Sequence, residues 1–280
     1  MAGPAEQLSP RLWRLELPSR TLAPSRTTNC YLVTDSGVGL LVDPGFSDRS
    51  SLGAVESLLE AAGVRLLKGV LLTHGHADHT AGLPALLESR SDSAVYAHPA
   101  EWHRLGSELS PRALQEGRTL TVGNTTARAL HTPGHSPGHL SFELPSEGAV
   151  LAGDLVAGAG STWVGLPEGD IGAYLASLDR LLELKPAILG PGHGPIPRDP
   201  ASRLRWAKAH RLRREAQILA ILKGGPQTLT GLRGAIYPGV SEELRSTVDS
   251  TLLAHLAKLM TEFRAIHLGA DQEGPYSADP

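Results

Sequence analysis

His74, His76, Asp78 and His79 place four side chains able to ligate a metal within six positions, in the run His74-Gly75-His76-Ala77-Asp78-His79. The run directly follows the apolar segment Gly69-Val70-Leu71-Leu72-Thr73. A buried strand would therefore end and deliver imidazoles and a carboxylate at its mouth. Neutral imidazole and carboxylate suit zinc, and also iron or manganese, while leaving positions open to solvent. One or two cations held in this way acidify water near neutral pH and polarise a carbonyl or phosphoryl oxygen. The competing explanation is a polar loop that is His-rich by accident, and the tight spacing argues against it.

Three further segments share one design, a small-residue turn presenting a single ligand-type side chain. They are Thr132-Pro133-Gly134-His135, Ala152-Gly153-Asp154 and Gly190-Pro191-Gly192-His193. Each follows a strand candidate, and each Gly lets backbone approach closely or adopt positive φ. Singly, a His after Pro-Gly reads as a turn residue; together with the cluster, in this order, the four segments form a constellation. Asp43, in Leu40-Leu41-Val42-Asp43-Pro44-Gly45, reads as an acceptor that fixes an imidazole or loop amides. An ordinary Asp-Pro-Gly turn is the alternative. His139 is a candidate proton donor or supporting partner of His135, with plain packing as the alternative. His98, His103, His131, His210, His255 and His267 have no motif around them.

The elements that must position these residues alternate short strands with helices. Apolar or alternating runs at 11–17, 29–34, 39–42 and 68–72 predict strands, with a helix near 50–62. A helix follows the histidine loop over 81–88. Further strands are expected at 94–97, 125–130, 139–143, 149–152 and 187–189, with a helix at 172–184 that buries Leu175, Leu178, Leu181 and Leu182. After the Pro/Gly stretch 190–197 the pattern turns helical: 203–223, a short helix at 230–236, then a helix from the N-cap Ser241 to about 261. Segments 263–268 and 275–277 suggest a small hairpin. Helix, short helix, helix, hairpin is the order of a winged-helix module. These patterns predict two domains, 1–200 and 201–280.

With these motifs in hand, the chain resembles the metallo-β-lactamase superfamily over about residues 10–197, through Asp43, the 74–79 cluster, His135, Asp154 and His193 in order. The resemblance implies an α/β fold, an αββα sandwich with metals at one edge of the two sheets. It implies that His74, His76 and His135 hold one metal, that Asp78, His79 and His193 hold the second, and that Asp154 bridges them. Two zinc ions are expected, with manganese or iron as substitutes, and Asp78 is expected to orient the nucleophile as well as ligate. Pro44 departs from the small hydroxylic residue usual after this Asp in the family. The chain further resembles the β-lactamase-like group with an appended C-terminal winged helix, through 158–162, 174–178 and the helix around Arg214, Glu215 and Gln217.

That resemblance implies a metallo-hydrolase with a bridging hydroxide and two substrate classes, a thioester or ester and single-stranded RNA. Commonest-type penicillin-hydrolysing members carry Cys where Asp154 stands. Nucleases with a large insertion need more chain than 155–192 supplies, and flavin-dependent oxygen reductases need a further domain. A thiolate leaves readily, whereas a phosphodiester needs leaving-group stabilisation and a basic or aromatic track. With 4% aromatic residues that track is not evident, so thioester or ester hydrolysis is favoured. Trp163 is expected beside the pocket. A third alternative is a non-enzymatic DNA-binding regulator using the winged helix, although the 241–261 helix offers little cationic surface. The module is expected to pack over the active-site edge or to form a homodimer interface.

At 280 residues, with 41% hydrophobic and 20% charged side chains, the composition is that of an ordinary globular protein. The net charge of −3 gives no global attraction to nucleic acid or anionic membrane. It divides unevenly: 201–280 carries 11 Lys/Arg against 8 Asp/Glu, the remainder 15 against 21. Arg203, Arg205, Lys208, Arg211, Arg213 and Arg214 project around a full helix circumference, which predicts a solvated helix. No run approaches the roughly 18 apolar residues of a membrane span, and 1–10 shows no export signal. The single Cys30 excludes an internal disulfide and a metal held by a cysteine cluster, pointing to a reducing, cytoplasmic setting.

Overall fold

The computed structural model describes residues 2–19, 21, 26–45 and 48–279. Two sheets stack face to face. The first runs in chain order: β1 (Glu6–Ser9), β2 (Leu12–Pro18), β3 (Thr27–Asp35), β4 (Val38–Val42), β5 (Leu66–Leu71), β6 (Ala94–Ala97) and β7 (Arg112–Ala113). The second has the order β12-β11-β10-β9-β8, from β8 (Thr119–Val122), β9 (Thr125–His131), β10 (Leu140–Leu144), β11 (Ala149–Ala157) and β12 (Ile188–His193). Between the sheets, Tyr31, Val33, Leu40 and Val42 meet Ala129, Leu140, Phe142 and Leu151. The alternate residues Cys30, Leu32 and Leu41 face outward, under α1 (Arg49–Ala61) and α3 (Leu83–Ser89). Because both faces are covered, β3 and β4 read as nearly continuous apolar runs rather than alternating ones.

On the other side, α4 (Ile171–Leu184) lays Tyr174, Leu178 and Leu181 on the outer face of the second sheet, against Leu130, Val150 and Ala152. Its N-cap Asp170 accepts the Ala173 N–H. The four layers are helix, sheet, sheet, helix, the expected αββα sandwich. Each predicted strand is present; 94–97 matches β6 at both ends, and the others have at least one end shifted. The edge strands β1, β7 and β8 were not anticipated, each being four residues or shorter.

Beyond β12 come α5 (Pro200–Lys223), α6 (Leu229–Ile236), α7 (Glu242–Thr261) and the hairpin β13 (Ala265–His267) with β14 (Tyr276–Ala278). They share a core of their own, in which Ile218 packs with Leu222, Leu232, Leu252, Leu256 and Tyr276. Leu204, Ala207 and Ala254 join the α4 cluster, so these helices are packed onto the sandwich. The prediction of a solvated α5 needs correction. Arg205 and Arg213 are exposed, but Arg211 is only 3% exposed and Lys208 is tied to Asp179 at 2.5 Å. Contact with α4 and α7 buries a face that sequence periodicity alone leaves undefined. Among the described residues, no helix is long and apolar enough to cross a membrane.

Candidate metal centre

The histidine cluster begins three residues past β5, and a one-turn helix α2 (Ala77–Thr80) carries Asp78 and His79. The helix expected over 81–88 is α3, Leu83–Ser89, while the short α2 inside the cluster was not anticipated. A helical turn separates the two side chains by about 100°, so His79 is buried while Asp78 stays partly open. Asp154 lies within β11, not in a turn after it. The pairing with β12 slips on both sides of Gly153, whose φ of +50° a bulge requires, and the strand then runs on to Ala157. His193 ends β12, and its turn is anchored by β3: Asn29 donates to the carbonyls of Pro191 and Gly194, and Tyr31 to Pro191. At Gly192 a Cβ would overlap the Asp154 carboxylate, which explains the small residue there.

The structure brings all seven predicted ligands together. His74, His76 and His135 form one potential metal-holding group, His74, His79 and Asp154 a second, and Asp78, His79 and His193 a third; within each group the ligand atoms lie within 4.8 Å of one another. The Asp154 carboxylate faces both ways. Its Oδ2 is 3.7 Å from His135 Nε2, while its Oδ1 is 3.2 Å from His193 Nε2 and 3.4 Å from His79 Nε2. That Oδ1 is buried yet receives no hydrogen bond.

The outer nitrogens show which tautomers are held. His135 Nδ1 donates to the Trp163 carbonyl at 2.8 Å and His193 Nδ1 to the Thr27 carbonyl at 2.8 Å. His76 Nε2 faces Glu168 at 3.0 Å, and His79 Nδ1 faces Asp43 at 2.8 Å. Asp43 also accepts the Thr73 amide and hydroxyl, leaving the Thr73 oxygen as acceptor for His74 Nδ1. Every outer nitrogen is thus satisfied, and the inner lone pairs of the imidazoles converge. His76 Nδ1 lies 3.0 Å from both His74 Nε2 and His135 Nε2, a crowding of acceptors that suits a shared cation.

Electrostatics agree. Burial pulls His193 down, but Asp154 and Asp78 outweigh it and push it up to about 10. Burial likewise opposes charge on His79, yet Asp78, Asp43 and Asp154 hold it well above the usual imidazole range. Burial favours neutral Asp154, while His193 and His79 hold it well below the usual carboxylate range. The carboxylates therefore favour positive charge where a cation would sit. Burial keeps His74 and His135 low, ready as neutral donors.

His139 stands apart. Its side chain is fully buried, with ring centroids 5.4 Å from His74, and Nδ1 contacts Thr132 Oγ1 at 3.0 Å. It is not among the described residues that line the cavity at the centre. Two supporting carboxylates escaped the sequence reading. Glu168 orients His76 and pairs with Arg104 at 2.8 Å. Glu101, 1% exposed, accepts the amides of Gly75 and Gly138 at 3.0 and 2.8 Å, clamping the two histidine loops together. Neither Glu sits in a spacing that announces it. A Glu101→Gln substitution keeps the shape but offers one carbonyl oxygen for two N–H groups. It is expected to destabilise the protein by about 1–3 kcal/mol in urea denaturation, and an unchanged midpoint would refute the clamp.

The cavity, about 790 Å³, opens on His76, Asp78, His135, Asp154 and His193. Its other walls are Ala157, Ala159 and Trp163 from the sandwich, and Arg211, Arg214, Tyr237, Leu244 and Val248 from the C-terminal helices. Those helices therefore cover the edge of the sandwich at which the cluster sits. Trp163 joins both sides, its carbonyl on His135 and its indole N–H on Ser250 of α7 at 3.1 Å.

An αββα sandwich with a converging His/Asp cluster at one sheet edge defines a metal-binding hydrolase. The sequence pattern of the Metallo-beta-lactamase superfamily matches residues 24–193, and the chain belongs to that family. It is 33% identical to an atrochrysone carboxyl ACP thioesterase of Claviceps purpurea, over 98% of this chain and 88% of that protein. A crystal structure of a metallo-beta-lactamase family protein from Thermus thermophilus is 28% identical, with a TM-score of 0.80 over 97% of this chain and 100% of the other. A protein crystallised in a di-iron-bound form is 34% identical, with a TM-score of 0.53 over 64% of this chain and 93% of its own.

Proposed function

We propose that the chain hydrolyses an acyl thioester at a dinuclear centre. His74, His76 and His135 would hold one ion and Asp78, His79 and His193 the other, with Asp154 shared between the two positions. The observation that carries this reading is the cavity, which couples the His/Asp cluster to apolar walls of a size suited to an acyl group. Two zinc ions fit the nitrogen and oxygen donors, with iron or manganese as substitutes; the di-iron form of a similar protein supports two ions. When bound, the ions supply Lewis acidity, acidifying water and polarising the acyl carbonyl.

The chain's own residues do the rest. Asp78, open to the cavity, accepts a hydrogen bond from the attacking water and orients it. Asp43, Glu168 and the Trp163 and Thr27 carbonyls keep the imidazoles in their ligating tautomers. His139 supports Thr132 behind the cluster and is a positioning residue in this reading. A thiolate departs without a proton, whereas the alkoxide of a phosphodiester needs one. The non-ligand imidazole among the described lining residues, His210, is pushed down to about 4 by burial and by Arg211 and Arg214, so it is neutral and a poor acid at pH 7. This favours the thioester over RNA, as do the thioesterase relatives.

We read residues 1–200 as the catalytic domain and 201–280 as a winged-helix domain, with β13 and β14 as the wing and the Gln227–Tyr276 bridge as its third strand. Leu244, Thr247, Val248 and Thr251 of α7 face the cavity, so the helix that would read DNA lines a pocket instead. The single, buried Cys30 fits a reducing, cytoplasmic setting.

The test is turnover of an acyl thioester and of single-stranded RNA by the metal-loaded protein, with Asp154→Ala as control and duplex DNA in a low-salt gel-shift arm. Thioester turnover that the substitution abolishes, without RNA cleavage or a DNA shift, is expected. RNA cleavage that depends on Asp154, with no thioester turnover, would replace this reading.

A further inference from the structure

The α5 wall of the cavity carries two guanidinium groups that form no ion pair among the described residues. Arg211 is 3% exposed and lines the cavity. It donates to the Thr162 carbonyl and lies 5.4 Å from the centre of the Tyr174 ring, but it forms no ion pair among the described residues. Arg214, one turn on, lies 4.1 Å over the Tyr237 ring and donates to Gln217 at 2.7 Å, and its buried Nε has no partner. The acid next to Arg214 in sequence, Glu215, is taken by Lys258 at 2.7 Å and by Arg264. The carboxylates that line the cavity, Asp78 and Asp154, belong to the His cluster.

A buried cation without a counter-charge is costly, and such a group persists where a ligand completes it. Nearby His255 is fully buried with neither ring nitrogen hydrogen-bonded. Burial first, then Arg211 and Arg214, push it down to about 3, so it adds no charge to the wall and marks the positive field there. Two planar guanidinium forks suit an oxyanion. The aromatic Tyr237 and apolar Leu244 and Val248 beside them suit a substrate body that carries it.

We propose that Arg211 and Arg214 form an anion subsite for the substrate, receiving a carboxylate on the acyl body or a phosphate on the arm that bears the thiol. The inference rests on the thioesterase reading for the identity of the substrate, while the subsite itself can be tested without turnover. Arg214 is the residue to change, because Arg211 is buried deeply enough that its loss threatens folding.

Three acyl thioesters are compared on wild-type, Arg214→Gln and Arg214→Lys: a neutral acyl group on N-acetylcysteamine, the same thiol with an ω-carboxylated acyl group, and the neutral acyl group on 4′-phosphopantetheine. Arg214→Gln is expected to raise KM about tenfold or more for one oxyanion-bearing substrate, with kcat within about twofold and the neutral substrate unaffected; Lys restores part of the loss. Which of the two charged substrates responds identifies the source of the oxyanion. In parallel, calorimetric titration of the metal-loaded protein with glutarate and with phenyl phosphate reads binding directly. Wild type is expected to bind one of them about tenfold more tightly than Arg214→Gln.

Equal effects on neutral and charged substrates, or equal anion affinities in the two proteins, overturn the subsite. Arg214-dependent binding of a single-stranded RNA oligomer with neither small anion bound also overturns it. Absence of any thioester turnover in wild type refutes the thioesterase reading and leaves the titrations to decide the subsite.

Discussion

Asp154→Ala is expected to lower turnover by about 10³-fold or more and to leave fewer than two metal ions per chain. The carboxylate is the residue whose two oxygens face both halves of the cluster, Oδ2 towards His135 and Oδ1 towards His79 and His193. Removing it deletes a donor from each half and takes a negative charge from between the positions two cations would share. Gly192 and the Gly153 bulge leave the space around it fitted to a carboxylate, so no neighbour moves in as a substitute. Steady-state rates together with metal analysis check this, with near-UV circular dichroism to confirm that the fold persists. A variant with full activity and two bound ions would remove the basis for a bridged pair.

Asp43→Ala is expected to destabilise the protein by about 3–5 kcal/mol and to weaken metal binding about 10–100-fold, although Asp43 touches neither substrate nor ion. The side chain accepts from the Thr73 amide, the Thr73 hydroxyl and His79 Nδ1, all of them buried. Its loss orphans three donors together. It also frees His79 to take the wrong tautomer and frees Thr73 from holding His74. Chemical denaturation with and without chelator separates the two effects: a stability loss is expected in both states and an affinity loss by metal titration. Unchanged metal affinity would reduce Asp43 to a turn residue, the alternative that its Asp-Pro-Gly setting suggested.

The candidate ligands were legible in the sequence because metal chemistry restricts residue types, and strand ends restrict where those types fall. His135, Asp154 and His193 each stood behind a small-residue turn, and each reached the common centre. The supporting groups were not legible. Glu101 and Glu168 act across 26 to 92 positions through single hydrogen bonds, a relation that leaves no periodicity or spacing. Backbone carbonyls such as those of Trp163 and Thr27 have no side-chain signature at all. The burial of Arg211 was hidden for a similar reason. Charges ring the whole circumference of α5, so nothing in the pattern marks the face that packs against α4 and α7. The Asp154 bulge lay between: Gly153 signalled a backbone irregularity, but only the register with β12 shows that the strand continues through it.

The cavity takes its reactive floor from loops of the sandwich and much of its remaining wall from α5, α6 and α7. Reactivity and selectivity are therefore encoded in separate stretches of chain. In the proposed thioesterase, exchanges at Tyr237, Leu244 or Val248 would reshape which acyl body is admitted while the His/Asp cluster stays intact. A lineage built this way can change its diet without relearning its chemistry.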